Sequence, residues 1–160
     1  MTGEFLAYGL LAALAIALLF AAATDLRARR IDNWLTFGIA AAAPLFWWAS
    51  GLDLWPGVAL QIALGAVVFL SLAGLFAIGA MGGGDVKLLT ALALWLPWQP
   101  FLHLIVIMAL LGGVLTLLAA VWHRMAKRQG RVQVPYGVAI SAAGLWVIAG
   151  TYGLPAAVTG

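Results

Sequence analysis

The stretch FLAYGLLAALAIALLFAAAT, from Phe5 to Thr24, runs twenty residues without a charge. A helix rises about 1.5 Å per residue, so this run reaches about 30 Å, the thickness of a bilayer's hydrocarbon core. Four further runs read the same way: Trp34–Ser50, Val58–Ile78, Phe101–Trp122 and roughly Tyr136–Leu154. Between the third and fourth long runs lies a shorter apolar piece, Val86–Leu96, ended by a Pro97–Pro100 turn. Breakers punctuate the pattern at Gly51, Pro56, Gly82–Gly84, Pro97, Pro100, Gly130 and Pro135. The expected fold is all-α: a polytopic membrane bundle of six helices, in one membrane-embedded domain over residues 1–160.

Composition agrees. Of 160 residues, 66% are hydrophobic and 8% charged, whereas soluble domains carry roughly 25% charged residues. Mean hydropathy is +1.11. No stretch is polar enough for a separate soluble module. The absence of cysteine excludes disulfides, thiolate catalysis and cysteine-ligated zinc. The N-terminal run lacks a basic region before it and is long enough to span, so it reads as a helix rather than a removable signal.

The isoelectric point near 9.8 does not point to nucleic acid, because the basic residues follow the loops. Arg27, Arg29 and Arg30 separate helices one and two. Lys87 follows the glycine loop, and Arg124, Lys127, Arg128 and Arg131 separate the last two helices. All eight therefore fall on one side, which the positive-inside rule makes cytoplasmic, and both termini are expected outside, in the periplasm. The opposite loops carry Asp53 and the aromatics Trp47, Trp48, Trp55, Trp95 and Trp98, expected to form an interfacial belt.

Five acidic residues remain to carry chemistry. Glu4 reads as a solvated terminus and Asp53 as a turn residue. Asp32 precedes Asn33 and the second run, where a helix N-cap is expected. Asp25 ends the first run. It is either a boundary acid paired with Arg27 or Arg29, or functional, since a helix C-terminus disfavours a carboxylate. Asp85 follows Gly82, Gly83 and Gly84 and opens a helix only about 16 Å long. If that helix reaches the outer interface at Trp95–Trp98, Asp85 is sunk below the inner surface. An ionisable group there is a functional candidate by default. The alternative is a plain N-cap after a flexible loop. The glycines suit a tight turn and close approach of a second backbone. Lys87 either snorkels to headgroups or sets the local field near Asp85.

Two carboxylates on one side of a small bundle can share a proton if they meet. The ionised member then takes a proton from water while the protonated one donates to a peptide carbonyl. His103 and His123 lack ligand spacing, and the glycines fit neither a Walker nor a Rossmann pattern, so no metal and no cofactor are expected. A proton or cation relay in a small transporter or channel subunit is the competing reading of Asp25 and Asp85, and a non-catalytic scaffold is a third.

Three segments carry a resemblance. Gly79-Ala80-Met81-Gly82-Gly83-Gly84-Asp85-Val86-Lys87-Leu88 resembles the G-x-G-D-x-K-L segment of the type IV prepilin peptidases. Asp25-Leu26-Arg27-Ala28-Arg29-Arg30-Ile31-Asp32-Asn33 resembles that family's other catalytic segment, an Asp followed by basic residues and I-P-N. Val134-Pro135-Tyr136-Gly137 resembles its P-[FY]-G segment. Asp32 replaces the usual Pro, and Val138 replaces the Pro common in longer members.

The resemblance is closest to the short CpaA/TadV-like members and spans essentially the whole chain. It implies a GxGD aspartic endopeptidase with Asp25 and Asp85 catalytic. Gly82, Gly83, Gly84 and Lys87 would form the substrate-approach loop, supported by Asn33, Pro135, Tyr136 and Gly137. The implied substrate is a precursor pilin or pseudopilin, cut at the cytoplasmic face of a bacterial inner membrane, with lipids as the other partner and no nucleic acid. Without the cysteine-rich segment of the longer enzymes, no N-methyltransferase activity is expected. The oligomeric state is left open.

Overall fold

The computed structural model describes residues 2–125 and 135–153. Among them the protein is all-helical, with six α-helices: α1 Thr2–Ala28, α2 Asn33–Ala49, α3 Ala59–Ala77, α4 Gly83–Ala93, α5 Trp98–Met125 and α6 Tyr136–Tyr152. A kinked turn over Leu54–Val58, with Trp55 in extended conformation (φ −135°, ψ 128°), leads into α3, and the Val58 N–H bonds the Asp53 carbonyl at 2.9 Å. Lys127, Arg128, Arg131, Val134 and Leu154 lie outside the described residues.

Gly3–Ala28, Leu54–Ala77 and Trp98–Met125 are each long and apolar enough to cross a membrane. Their outward faces suit lipid: Ile16, Leu70 and Leu117 are each about two-thirds exposed or more. This is a multi-pass membrane protein.

The shortest helix is the hub. α4 packs against α2, α3, α5 and α6, while α1 joins α2 to α6 and α5 lies along α6. Leu88, Leu89, Leu92 and Leu96 are fully buried there, together with Leu18 of α1, Leu104 of α5 and Ile140 of α6. Small residues set the approach: Gly144 of α6 lies against Leu18 and Leu92, so that a methyl there would come within 3.0 Å of Leu18 Cδ1. Lipid tails are as apolar as Leu, so such close packing, rather than hydrophobic sorting, holds helices together in a membrane.

A helix that stops inside the bundle leaves its last carbonyls without water. Side chains from other helices supply the donors. Gln61 Nε2 of α3 donates to Ala93 O at 2.6 Å and Leu96 O at 2.7 Å. Trp47 Nε1 of α2 donates to Leu94 O at 2.7 Å, and the Tyr152 hydroxyl of α6 to Trp95 O at 3.3 Å. Trp95 returns a bond to Ile39 O at 2.8 Å and stacks on Phe46, centroids 4.9 Å apart.

Two expectations change here. Trp47 and Trp95 are buried fasteners of α4, not belt residues; Trp48, Trp55 and Trp98 are the exposed ones. The shortfall of α4 also falls at its far end. Its near end is in register with the start of α2, with Gly84 on Ile31 and Lys87 bonded to Asn33. Asp85 is therefore level with the α1–α2 connection rather than sunk beneath it.

Gln61→Leu keeps the bulk and removes both bonds, leaving two buried carbonyls unserved. We expect a loss of about 1–2 kcal/mol, read as a lowered midpoint of unfolding in mixed detergent micelles. An unchanged midpoint would show that α4 is held by packing alone.

Candidate active site

The site is assembled where α1 ends and α4 and α6 begin. α1 continues for three residues past Asp25, so this carboxylate sits in the last helical turn rather than at the helix end. Asp25 is buried, at 6% exposure. The turn closes with Arg29 in the left-handed region, φ 52°, its N–H on the Asp25 carbonyl at 2.9 Å. That conformation costs a non-glycine residue about 1–2 kcal/mol. It turns the chain back toward the pocket and leaves the Arg29 guanidinium within electrostatic reach of the Asp25 carboxylate.

The N-terminus of α6 holds the other side of Asp25. Val138 N–H donates to Asp25 Oδ2 at 3.3 Å, and the Gly137 N–H also bonds this carboxylate. Free amides and the helix dipole make a helix N-terminus a natural seat for a carboxylate. A Cβ at Gly137 would lie 2.9 Å from Asp25 Cγ and Oδ2 and 2.9 Å from Ile31 Cδ1. The glycine is there for space.

The glycine loop divides its work. The turn out of α3 is made by Gly79 at φ 73°, with Gly79 N–H on Phe76 O and Ala80 N–H on Leu75 O, a Schellman closure. Gly82 is the N-cap of α4, in extended conformation. Asp85 is thus the third helical residue, not the cap, and its carboxylate reaches back to the Gly82 N–H, as the acid of a capping box does. A Cβ on Gly82 would stand 2.9 Å from Asp85 Oδ2, one on Gly84 3.2 Å from Ile31 Cβ, and one on Gly83 3.3 Å from Phe76. So Gly82 clears Asp85, and Gly84 lets α4 close on the α1–α2 connection.

These elements surround an open pocket of about 440 Å³. Asp25 and Asp85 both line it and are near enough to interact electrostatically. Gly82, Gly83 and Gly84 form one edge, Arg29, Arg30 and Ile31 another, and Tyr136 a third. The remaining candidates support the frame. Lys87 Nζ donates to Asn33 Oδ1 at 2.8 Å, so its ammonium ties α4 to α2. Pro135 caps α6 through its carbonyl, which accepts from Val138 N–H at 3.2 Å.

Asp32 does stand at the N-cap of α2, but only its backbone carbonyl serves the helix, accepting from Leu35 and Thr36. Its carboxylate pairs instead with Arg30 Nε at 3.4 Å. Sequence reasoning gave Ile31 no role. Yet it is the contact shared by Gly84 and Gly137, and its signal in the sequence was its place at the Ile of the I-P-N resemblance.

Residues 12–117 match the model of the type IV leader peptidase family, a span that includes Asp25, the glycine loop and Asp85. The chain is similar to the prepilin leader peptidase/N-methyltransferase of Dickeya chrysanthemi, 41% identical over 66 residues. It is also similar to that of Pectobacterium carotovorum subsp. carotovorum, 36% identical over 67 residues. These matches cover 41% and 42% of this chain and 23% of each relative. No solved structure matches it significantly. With the family match extending over most of its length, the chain belongs to the type IV leader peptidase family.

Proposed function

We propose that this protein is an intramembrane aspartic endopeptidase that removes the short leader from type IV prepilin or pseudopilin precursors. The observation that carries this reading is that carboxylates from α1 and α4 line one pocket beside a glycine edge. In the proposed reaction the ionised carboxylate accepts a proton from water as its oxygen bonds the scissile carbonyl carbon. The protonated partner donates to the carbonyl oxygen. Collapse of the tetrahedral gem-diol breaks the C–N bond as the amine nitrogen takes a proton from one carboxyl. A hydroxyl of the diol returns its proton to the other carboxylate and re-forms the carbonyl, leaving the pair with one proton as at the start. Protonation belongs to the two acids jointly.

The pocket lies at the bundle end that carries Arg27, Arg29, Arg30, Lys87 and Arg124, while the start of α1 and the end of α6 lie at the other. We take the basic end as cytoplasmic, with both termini periplasmic and the chain in a bacterial inner membrane. An extended leader could then enter beside Gly82–Gly84 while its hydrophobic helix stays in lipid. The proposal concerns hydrolysis alone; no residue of the pocket is put forward for methyl transfer.

The test is cleavage of a prepilin precursor by the protein in liposomes, with the product's new N-terminus sequenced. Acid-dependent ion flux without cleavage would instead favour a proton or cation relay. Asp32→Asn serves as the control acid. Its ion pair with Arg30 is solvent-accessible and worth at most about 1 kcal/mol, so cleavage is expected to stay within about threefold of the parent. A loss as deep as that at Asp25 or Asp85 would make Asp32 a third member of the reacting set.

A further inference from the structure

Tyr136 begins α6 directly before the residues whose amides hold Asp25, and its own side chain is seated on α5. The ring lies over Gly112, where an added Cβ would come within 3.0 Å of Tyr136 Cε1 and 3.3 Å of Cδ1. Its hydroxyl lies 3.2 Å from Thr116 Oγ1, which in turn donates to the Gly112 carbonyl at 2.7 Å. Gly112 is buried, and Gly112 and Thr116 are one helical turn apart, so they form a notch and a peg on one face of α5. Neither residue lines the pocket.

From this geometry we infer that Gly112 and Thr116 are positioning residues for Asp25, acting through Tyr136. The chain of contact runs from the α5 notch to the Tyr136 ring, from its backbone to the amides of Gly137 and Val138, and from those amides to Oδ2 of Asp25. Reacting groups misplaced by about 1 Å lose rate on the order of a hundredfold, so a seat that fixes the first turn of α6 bears directly on the proposed chemistry. The alternative role for Tyr136, a wall that only touches substrate, makes a different prediction. A wall defect raises KM, whereas a seat defect lowers kcat.

The experiment uses the full chain in liposomes and has two readouts. Amide hydrogen exchange at Gly137 and Val138 is independent of any activity. Leader cleavage, resolved into kcat and KM, rests on the peptidase reading. Thr116→Val and Tyr136→Phe each remove the hydroxyl contact and keep the bulk, and each is expected to speed exchange at both amides about five- to tenfold. Exchange along α2 and α4 should be unchanged, and kcat should fall by a similar factor with KM nearly constant.

The double variant should do no worse than either single, because both remove one contact. Thr116→Ser keeps the hydroxyl and should restore parental values. Gly112→Ala, which displaces the ring, should act more strongly than either. Unchanged exchange in Thr116→Val and Tyr136→Phe, or a rise in KM alone, would overturn the inference. Faster exchange in a protein whose parent form cleaves no precursor would uphold the seat and remove the peptidase reading.

Discussion

Asp85→Asn is expected to lower leader cleavage by about 10²–10⁴-fold, the range that positioned acid–base groups contribute. Asp25→Asn should fall in the same range. The amide keeps the shape of the carboxyl but can neither take a proton from water nor be the protonated donor of a shared pair. Because the two act as a unit, the double variant should be no slower than the worse single. Folding should survive, since Asn at position 85 can still accept from the Gly82 N–H through its carbonyl oxygen, and Asn at position 25 can accept from Gly137 and Val138. The measurement is single-turnover cleavage of a prepilin precursor in liposomes, with detergent unfolding midpoints as the folding control. Cleavage above a tenth of the parent rate in either single variant, in a folded protein, would remove the aspartic mechanism.

The second large effect is expected at a residue that carries no functional group. Gly137→Ala adds one methyl 2.9 Å from both Asp25 Cγ and Oδ2 and 2.9 Å from Ile31 Cδ1. Carbon atoms in contact sit about 3.5–4.0 Å apart, so Asp25 or α6 must move by several tenths of an ångström or more. Either movement takes the Asp25 carboxylate off the two amides. We expect cleavage to fall by about a hundredfold and stability by about 1–3 kcal/mol, the usual cost of overpacking. Gly150→Ala is the matched control, on the same helix with open space at its Cβ. It should leave both nearly unchanged. Equal behaviour of the two variants would show that the α6 N-terminus does not hold Asp25.

The glycines divide along the same line. Runs of glycine announce a turn, and the G-x-G-D resemblance marks Gly82 and Gly84 as motif positions. Neither reading reveals that Gly79 makes the turn, or that Gly82 and Gly84 stand where a methyl would meet Asp85 and Ile31. Those reasons are distances between segments far apart in sequence. Asp25 shows the point for an acid. Helix-end electrostatics left it open between pairing with Arg27 or Arg29 and a functional role, and in the structure it has Arg29 on one side and the α6 amides on the other. The tryptophans show the reverse. Trp47 and Trp95 look like belt residues in a loop reading, yet both are buried: Trp47 supplies the end of α4 with a donor that water cannot bring, and Trp95 donates back to Ile39 O of α2.

The sequence by itself determined the helical, apolar character of the chain and the number of helices, because uninterrupted apolar length and a handful of charges leave few other readings; it marked Asp25 and Asp85 as candidates through the motif resemblance. Only the tertiary structure decided which faces meet: that the shortest helix is the hub, that α6 presents its amides to Asp25, and that α5 seats Tyr136. The physical reason is that these helices are apolar on nearly every side, and lipid is as apolar as leucine. No amphipathic stripe therefore marks the inward face. Register is set by where small residues let backbones approach and where a buried carbonyl or carboxylate finds its donor, and neither is written in the periodicity of any single helix.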